Sequence, residues 1–244
     1  MTRPGALVGI GVGPGDPEHL TLKAVRELGA ADRVFVPATA ASAGGAGRAE
    51  TVVAAHVAPE RVVRLSFAMT DAGGRDAKWD AAGAAIAEVV AGGGTAAFAT
   101  LGDPALYSTF AYVVHTVRRL APGVDVRTVP GITAMQDLAA RTGAMLAEGT
   151  DGLALVPWTA GEARVRAALD SFETVVIYKG GRQLPRVLDV VRAAGREDEA
   201  AVGTQLGLDG EVVSAAVAAD GPAPYFCTVL VTPPRDGAPR GARL

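Results

Sequence analysis

Short apolar strands alternate with helical segments along most of this chain of 244 residues. The first strand covers 6–12 and runs into a glycine-rich turn, after which apolar residues recur at helical spacing over 20–28. Because a helix usually connects two parallel strands, this alternation predicts a mainly parallel sheet with helices on both faces. The alternation starts again after Gly149 but ends in two consecutive extended segments, 211–216 and 226–232, so the second half predicts a mixed sheet.

The chain is therefore predicted to form two α/β domains with the ligand cleft between them. We place the N-terminal domain at residues 1–149 and the C-terminal domain at 150–232. The Pro- and Gly-rich tail over 233–244 is predicted to be disordered. A run of Ala, Ser, Thr and Gly without charge over 38–47 is typical of a mobile loop.

Composition excludes several classes of protein. Apolar residues make up 49% of the chain. The chain nevertheless contains no run of about 20 mostly apolar residues, which is the length needed to cross a bilayer. The net charge of −3 creates no field that attracts nucleic acid. The single cysteine, Cys227, excludes a disulfide framework and a multi-cysteine metal site, and the three histidines are widely separated. We therefore expect a soluble cytoplasmic protein without a metal, a nucleic-acid partner or a membrane partner.

Three unusual turns follow predicted strands. They are the glycine- and proline-rich turn over 9–17, the Leu-Gly-Asp-Pro turn over 101–104 and the Val-Pro-Gly-Ile-Thr turn over 129–133. Ligands of open parallel sheets bind outside the carboxyl ends of the strands, where all three turns lie. Glycines at such positions let a ligand approach the backbone closely. The turns therefore predict one shared binding site.

The first turn does not have the spacing of a dinucleotide-binding fingerprint, G-x-G-x-x-G. Pro14 stands three residues after Gly11, and Asp16 stands three residues after Gly13. An aspartate at the entrance of a helix would also repel a phosphate. A simpler interpretation is that Asp16 and Asp103, each followed by proline, are helix N-caps. Capping does not explain glycines at every second position, so we favour a site for something other than phosphate.

These motifs resemble those of a known family, the tetrapyrrole (class III) methyltransferases. The segments that resemble its three hallmark motifs are Gly11-x-Gly13-Pro14-Gly15-Asp16-Pro17-x-x-Leu20-Thr21-Leu22-Lys23-Ala24, Gly102-Asp103-Pro104 and Val129-Pro130-Gly131-Ile132-Thr133-Ala134. The resemblance covers residues 6–232. It implies two α/β domains, S-adenosylmethionine as the methyl donor and co-substrate, a small-molecule tetrapyrrole as the second substrate, and a homodimer.

Within the family, the segment 100–110 most resembles the branch that methylates carbon 20 of precorrin-2 in cobalamin biosynthesis. The continuation Tyr107-Ser108-Thr109 carries this similarity, and the segments 178–182 and 224–226 point in the same direction. The same reaction on cobalt-factor II, the cobalt-containing substrate of the anaerobic route, is an alternative, as is methylation of another tetrapyrrole. A nucleotide-binding oxidoreductase and a non-catalytic tetrapyrrole-binding module are alternatives from other classes.

The resemblance also implies which residues bind the two substrates. For the donor they are Pro14, Leu101, Gly102, Asp103, Leu106, Thr133, Ala134, Tyr178, Lys179, Gln205 and Leu206. For the tetrapyrrole they are Tyr107, Ser108, Lys179 and Arg182, with Lys23 and Arg48 as further candidates for its carboxylates. No residue is identified as the acceptor of the proton that carbon 20 loses, and no set of metal ligands is predicted. Cys227 is expected to be buried and inert.

Overall fold

A computed structural model of the chain describes residues 5–38, 45–67, 75–219 and 221–235. In these ranges, ten strands and seven α-helices group into two compact units, which divide the chain between Thr133 and Ala134. Each unit is built around one five-stranded sheet, so the predicted pair of α/β domains is confirmed. None of the helices in the described ranges is long and apolar enough to span a membrane.

The elements follow the predicted alternation of strands and helices. The first unit contains the strands β1 (Ala6–Gly11), β2 (Arg33–Ala38), β3 (Val62–Ser66), β4 (Thr95–Thr100) and β5 (Asp125–Val129), and the helices α1 (Leu22–Ala30), α2 (Arg48–Ala54), α3 (Arg75–Ala91) and α4 (Phe110–Leu120). The second unit contains α5 (Ala134–Thr142), β6 (Leu153–Pro157), α6 (Glu162–Ser171), β7 (Thr174–Tyr178), α7 (Leu184–Ala193), β8 (Ala200–Thr204), β9 (Val212–Ala215) and β10 (Cys227–Val231).

The first sheet is parallel throughout, in the strand order β3-β2-β4-β1-β5. Successive side chains of β1 point to opposite faces. Leu7 packs with Phe98 in the cluster formed by α3 and α4, whereas Val8 packs in the cluster formed by α1 and α2. Burying each such side chain stabilises the fold by about 1.5–3 kcal/mol. Because β1 lies between β4 and β5, the turns that follow these three strands lie side by side at one edge of the sheet.

The second sheet is mixed, as predicted, in the strand order β6-β7-β10-β8-β9. Strand β10 runs antiparallel to both of its neighbours. Its first residue, Cys227, is therefore paired with Thr204 at the end of β8, and Thr228 is paired with Tyr178 at the end of β7. The segment that precedes β10 consequently reaches the carboxyl ends of β7 and β8.

Helix α5 places the division between the units earlier than the sequence predicts. The prediction puts the boundary after residue 149, but the second unit begins at Ala134. The reason is that Leu138 of α5 is completely buried against Val176 and Leu230 of the second sheet. A helical pattern does not reveal which sheet the helix covers, and the glycines around residue 150 belong to a loop inside the second unit.

Two segments that were predicted to lack regular structure fall largely outside the described residues. Of the tail over 233–244, the described part ends at Arg235, whose guanidinium pairs with the Asp151 carboxylate at 2.6 Å. The chain up to this residue is thus attached to the second unit. Of the loop over 38–47, positions 39–44 lie outside the described ranges.

The interpretation of Asp16 as a cap is confirmed, but the element that it caps is short. Its Oδ1 accepts a hydrogen bond from Glu18 N at 2.8 Å, at the start of a 3-10 turn. Helix α1 begins only at Leu22, because Thr21 Oγ1 accepts a hydrogen bond from Ala24 N at 3.0 Å and provides a new N-cap.

The corresponding interpretation of Asp103 as a helix N-cap is wrong. A helix is predicted over 107–120, yet α4 begins at Phe110. Tyr107 has a φ of 52°, in the left-handed region that a right-handed helix cannot include. The side chain of Ser108 accepts a hydrogen bond from Phe110 N at 3.1 Å, immediately before the helix. The segment from Asp103 to Ser108 is therefore a turn.

Cys227 offers a simple test of burial in the second unit. It lies in β10 with 5% of its surface exposed, and burial raises the pKa of its thiol to about 12. The thiol is thus protonated and shielded at mildly alkaline pH. We expect iodoacetamide to label the folded protein at least about 100 times more slowly than the protein unfolded in guanidinium, as followed by mass spectrometry. Equal labelling rates would contradict this burial.

Candidate functional site

The first two glycine turns are hydrogen-bonded to each other. Gly102 N donates to the carbonyl oxygen of Gly13 at 2.8 Å, and Val12 N donates to the carbonyl oxygen of Thr100 at 2.9 Å. These bonds extend the pairing of β1 and β4 beyond the ends of both strands. The convergence of the turns that was predicted from the sequence is therefore seen within the first unit.

The third turn packs against the other two through glycine backbones. A Cβ atom on Gly11 would lie 2.5 Å from the carbonyl oxygen of Gly102 and 2.6 Å from Gly131 N. A Cβ atom on Gly131 would overlap the same carbonyl oxygen and would lie 2.7 Å from the carbonyl carbon of Gly11. Three main chains thus approach one another at distances that exclude any side chain. We call the contact of Gly11, Gly102 and Gly131 the glycine junction.

Asp103 holds the glycine junction together by its side chain. Its Oδ1 accepts a hydrogen bond from Ala105 N at 2.8 Å, and its Oδ2 accepts one from Gly131 N at 3.0 Å. The carboxylate therefore joins the second turn to the third across 28 positions of sequence. Hydrogen bonds of this type, with a charged acceptor, are shorter and stronger than bonds between neutral groups. Each carboxylate oxygen retains a second acceptor site.

The backbone at Gly102 is open on one side. Gly102 has a φ of 65°, and a Cβ atom built there would meet no atom within 4 Å among the described residues. The glycine is needed for its conformation rather than for lack of space, since an alanine in this region of φ costs about 1–2 kcal/mol. An exposed main chain beside a carboxylate fits a ligand that carries positive charge and approaches the backbone closely.

Ser108 and Tyr107 follow the second turn. Ser108 Oγ donates a hydrogen bond to Thr100 Oγ1 at 3.0 Å and so connects the turn to the last residue of β4. Thr100 is 6% exposed, so this bond lies at the boundary of the core. The Tyr107 side chain, in contrast, is 45% exposed. Of the two, Tyr107 is the residue whose side chain is accessible to a substrate.

Two strand ends of the second unit carry strained residues. Lys179, directly after β7, has a φ of 62°, and Gln205, directly after β8, has a φ of 51°. Together with Tyr107 they are the non-glycine residues of the described ranges that have a positive φ. All three are site residues implied by the family resemblance. Strained backbone of this kind persists where the surrounding structure holds it, and it clusters at functional sites.

Tyr178 links the end of β7 to the first turn of α5. Its hydroxyl oxygen accepts a hydrogen bond from Met135 N at 2.9 Å. Met135 follows Ala134, the first residue of α5 and one of the residues implied to bind the donor. The N–H groups of a first helical turn have no partner within the helix. Tyr178 therefore fixes the start of α5, which comes directly after the third glycine turn in the chain.

Replacing Tyr178 with phenylalanine tests this role. The variant loses the bond to Met135 N, so we expect the free energy of unfolding to fall by roughly 1 kcal/mol. The family resemblance implies that the start of α5 contacts the methyl donor, so we also expect the affinity for S-adenosylhomocysteine, the donor without its methyl group, to fall about fivefold in calorimetry. Tyr112 is the matched control, since it is 56% exposed and Tyr112→Phe should change neither quantity. Equal behaviour of the two variants would refute the role.

A series of ion pairs and hydrogen bonds connects the loop between β8 and β9 to α5. Arg141 Nε donates to Asp137 Oδ2 at 3.0 Å, and Arg141 Nη1 pairs with Glu211 Oε1 at 2.6 Å. Glu211 Oε2 in turn accepts a hydrogen bond from Gly207 N at 2.6 Å. Asp137 is 4% exposed, so its charge is compensated inside the unit. These contacts fix the loop that begins with Gln205.

The residues implied to bind the substrates differ in exposure. Half-buried are Pro14, Leu101, Gly102, Asp103, Leu106, Ser108, Ala134, Tyr178, Lys179 and Gln205; Thr133 and Leu206 are buried; Tyr107 and Arg182 are exposed. Leu206 packs in the apolar cluster around Leu138, so its main chain is the part that a ligand could contact. Among the further candidates, Lys23 is exposed in α1, and burial lowers the pKa of the Arg48 guanidinium at the start of α2.

Sequence reasoning missed several residues that build the site. The motifs contain Gly11 and Gly131, but only the structure shows that they touch. Met135 has no signal of its own in the sequence, because it acts through its backbone hydrogen bond to Tyr178, 43 positions away. No group of three or more His, Cys, Asp or Glu side chains that could hold a metal ion occurs within the described ranges.

A family model and individual relatives of known name agree on one family for this chain. The model of the tetrapyrrole (corrin/porphyrin) methylases matches residues 6–220. A precorrin-2 C(20)-methyltransferase from Sinorhizobium sp is 38% identical over 93% of this chain and 95% of its own length. A cobalt-precorrin-2 C(20)-methyltransferase from Salmonella typhimurium is 32% identical over 93% of this chain and 96% of its own length.

Solved structures share the fold. A uroporphyrin-III C-methyltransferase from Thermus thermophilus, complexed with S-adenyl homocysteine, superimposes with a TM-score of 0.64 at 22% identity, over 93% of this chain and 97% of its own. The cobalt precorrin-4 methyltransferase CbiF gives a TM-score of 0.68 at 20% identity, over 93% of this chain and 94% of its own. At these identities the similarity concerns the fold.

Proposed function

The chain belongs to the tetrapyrrole (corrin/porphyrin) methylase family, and we propose that it transfers a methyl group from S-adenosylmethionine to carbon 20 of precorrin-2, giving precorrin-3A in cobalamin biosynthesis. The observation that carries the choice of substrate is the similarity to the Sinorhizobium precorrin-2 C(20)-methyltransferase, which extends over nearly the whole of both chains. The Tyr107-Ser108-Thr109 continuation of the second turn supports the same choice.

The glycine junction binds the donor in this proposal, together with the other residues that the family resemblance implies. Pro14, Leu101, Gly102, Asp103, Leu106, Thr133, Ala134, Tyr178, Lys179, Gln205 and Leu206 are the residues proposed to contact it. The donor supplies a methyl carbon that is activated by a positively charged sulfur atom. The open backbone at Gly102 and the carboxylate of Asp103 suit such a cation. The Thermus thermophilus protein with the same fold was solved with S-adenyl homocysteine, the demethylated form of this donor.

The transfer is a displacement at the methyl carbon. Carbon 20 of the electron-rich macrocycle provides the electron pair for the new carbon–carbon bond, the bond to sulfur breaks, and S-adenosylhomocysteine leaves. Carbon 20 then gives up its proton to the solvent, which restores the conjugation of the macrocycle. Holding the two reactants in line can contribute several kcal/mol, about 7–11 kcal/mol at most. Because the nucleophile is already electron-rich, we assign this chain's residues to binding, orientation and exclusion of water.

The substrate side requires cations and an accessible surface. Precorrin-2 is a macrocycle that carries carboxylate side chains at its rim. We propose that Tyr107, Ser108, Lys179 and Arg182 contact it, with the two cations binding carboxylates. The second candidate function is methylation of the cobalt-containing form, which the similarity to the Salmonella typhimurium enzyme favours. The higher identity to the Sinorhizobium enzyme supports the metal-free substrate as the first candidate.

Transfer of labelled methyl tests the proposal. The purified chain is incubated anaerobically with precorrin-2 and methyl-¹³C-labelled donor, and the product is examined by NMR. We expect one labelled methyl group, attached to carbon 20, and a slower reaction with the cobalt form. A faster reaction with the cobalt form would favour the second candidate. Absence of label from both products, with no donor bound in calorimetry, would contradict the proposed function.

We further propose that the protein acts in the cytoplasm as a homodimer. The family resemblance supports the dimer, and the biosynthetic role of the relatives supports the compartment. Multi-angle light scattering at working concentrations distinguishes a dimer from a monomer directly.

A further inference from the structure

Two adjacent aromatic residues are half-exposed just before β10, beside the carboxyl ends of β7 and β8. Tyr225 is 41% exposed and Phe226 is 45% exposed. Their rings meet edge to face, with 5.2 Å between centroids and an angle of 88° between planes. Aromatic residues make up only 5% of the chain, so two adjacent ones that expose apolar area to solvent are unusual. We call this pair the aromatic platform.

The backbone of the platform is fixed on both sides. Ala223 N donates to the carbonyl oxygen of Gly181 at 2.8 Å, and Gln205 N donates to the carbonyl oxygen of Phe226 at 3.1 Å. A Cβ atom on Gly181 would overlap the carbonyl oxygen of Pro224, so the two segments are in close contact. The main chain of the platform is therefore held against the turn after β7 and against the loop after β8.

Strand pairing explains why these segments meet. Strand β10 runs antiparallel to β7 and β8, so the residues just before it lie beside the ends of both strands. The same ends carry Lys179 and Gln205, each with a positive φ. The similarity of 178–182 and 224–226 to one branch of the family is thus a similarity at one place in the fold.

Charge around the platform has one sign on the side of β7. The segment 179–183 contains Lys179 and Arg182 and no carboxylate. The Arg182 side chain is exposed and forms no ion pair with any residue of the described ranges. On the side of β8, the carboxylate of Glu211 is paired with Arg141 at 2.6 Å, so its charge is compensated, and the carboxylate of Asp209 is exposed to solvent. An exposed aromatic surface with cations on the side of β7 complements an apolar macrocycle that carries carboxylates at its rim.

We propose that the aromatic platform of Tyr225 and Phe226 is the surface on which the ring of the tetrapyrrole substrate rests, with Arg182 binding one of its carboxylates. This inference rests on the proposed function and adds specificity-determining residues to it. In this proposal the aromatic rings contact the macrocycle and do not contact the methyl donor. The platform therefore determines affinity for the macrocycle and leaves the affinity for the donor unchanged.

Replacing either aromatic side chain of the platform with leucine tests this proposal. We expect Tyr225→Leu and Phe226→Leu each to raise the Kd for precorrin-2 about tenfold, in an anaerobic absorbance titration without donor. Tyr225→Phe, which keeps the ring, should retain the wild-type Kd within twofold. Phe172→Leu is the matched control, because Phe172 is 41% exposed at the end of α6. Affinity for S-adenosylhomocysteine should stay within twofold in all four variants, and a denaturant titration checks that each one folds.

The outcomes separate this inference from the proposed function. If the wild-type protein binds and methylates precorrin-2 and the leucine variants bind it equally well, the platform is refuted and the function stands. If the wild-type protein binds precorrin-2, the leucine variants bind it weakly and no methyl is transferred, the platform stands and the function fails. If the wild-type protein does not bind precorrin-2, both are refuted.

Discussion

Replacing Gly131 with alanine is expected to abolish donor binding and to lower the free energy of unfolding by about 2–3 kcal/mol. The added Cβ would overlap the carbonyl oxygen of Gly102 and would lie 2.7 Å from the carbonyl carbon of Gly11. Both neighbours are main-chain atoms, which cannot rotate away as a side chain can. The three turns would have to separate, and S-adenosylhomocysteine titrated by calorimetry should give no measurable heat of binding.

Gly29 provides the control for this substitution. It lies in α1, and a Cβ atom there would meet nothing within 4 Å among the described residues. Gly29→Ala should stabilise the protein by up to about 1 kcal/mol, because alanine is the better helix former. It should leave the donor affinity at the wild-type value. If Gly131→Ala bound S-adenosylhomocysteine as tightly as Gly29→Ala does, the glycine junction would not be part of the donor site.

Removing the carboxylate of Asp103 is expected to weaken donor binding at least about 50-fold. Asp103→Ala leaves Ala105 N and Gly131 N without their acceptor and frees the third turn from the second. It also removes the negative charge proposed to face the sulfonium. The free energy of unfolding should fall by about 2–3 kcal/mol, more than the loss of a single helix cap would cost. Calorimetry and denaturant titration measure the two effects.

A carboxylate at the opposite end of β4 separates the loss of stability from the loss of binding. Asp32 Oδ2 accepts a hydrogen bond from Thr95 N at 2.7 Å, at the first residue of that strand. Asp32→Ala should cost about 1–2 kcal/mol of stability and should not alter the affinity for S-adenosylhomocysteine. Asp103→Asn should be intermediate, since an amide offers one acceptor oxygen for the two N–H groups. An Asp103→Ala variant with wild-type affinity would make this residue purely structural.

Much of the fold follows from local patterns in the sequence. The alternation of strands with helices predicted a parallel sheet and a mixed sheet, and both are confirmed. The start of α4 could not be predicted in the same way, because the backbone of Tyr107 is held at a φ of 52° by its surroundings. The division at Ala134 depends on which sheet buries Leu138, and the periodicity of a helix is the same against either sheet.

The candidate site, like the fold, could be predicted from the sequence only in part. The three turns are visible in the sequence as clusters of glycine and proline, and their position after parallel strands is enough to predict that they converge. The bond from Gly131 N to Asp103 is not visible, because 28 positions separate the two residues and Asp-Pro is equally typical of a helix cap. The contact of Gly181 with Pro224 depends on the antiparallel course of β10, which no local pattern specifies.

The most direct measurement is a crystal structure of the protein grown with S-adenosylhomocysteine. The account predicts the ligand against the main chain of residues 101–103 and 131–133, with its sulfur on the open side of Gly102. A ligand bound elsewhere on the chain, or no ligand at concentrations that saturate other methyltransferases, would contradict the assignment of the glycine junction as the donor site.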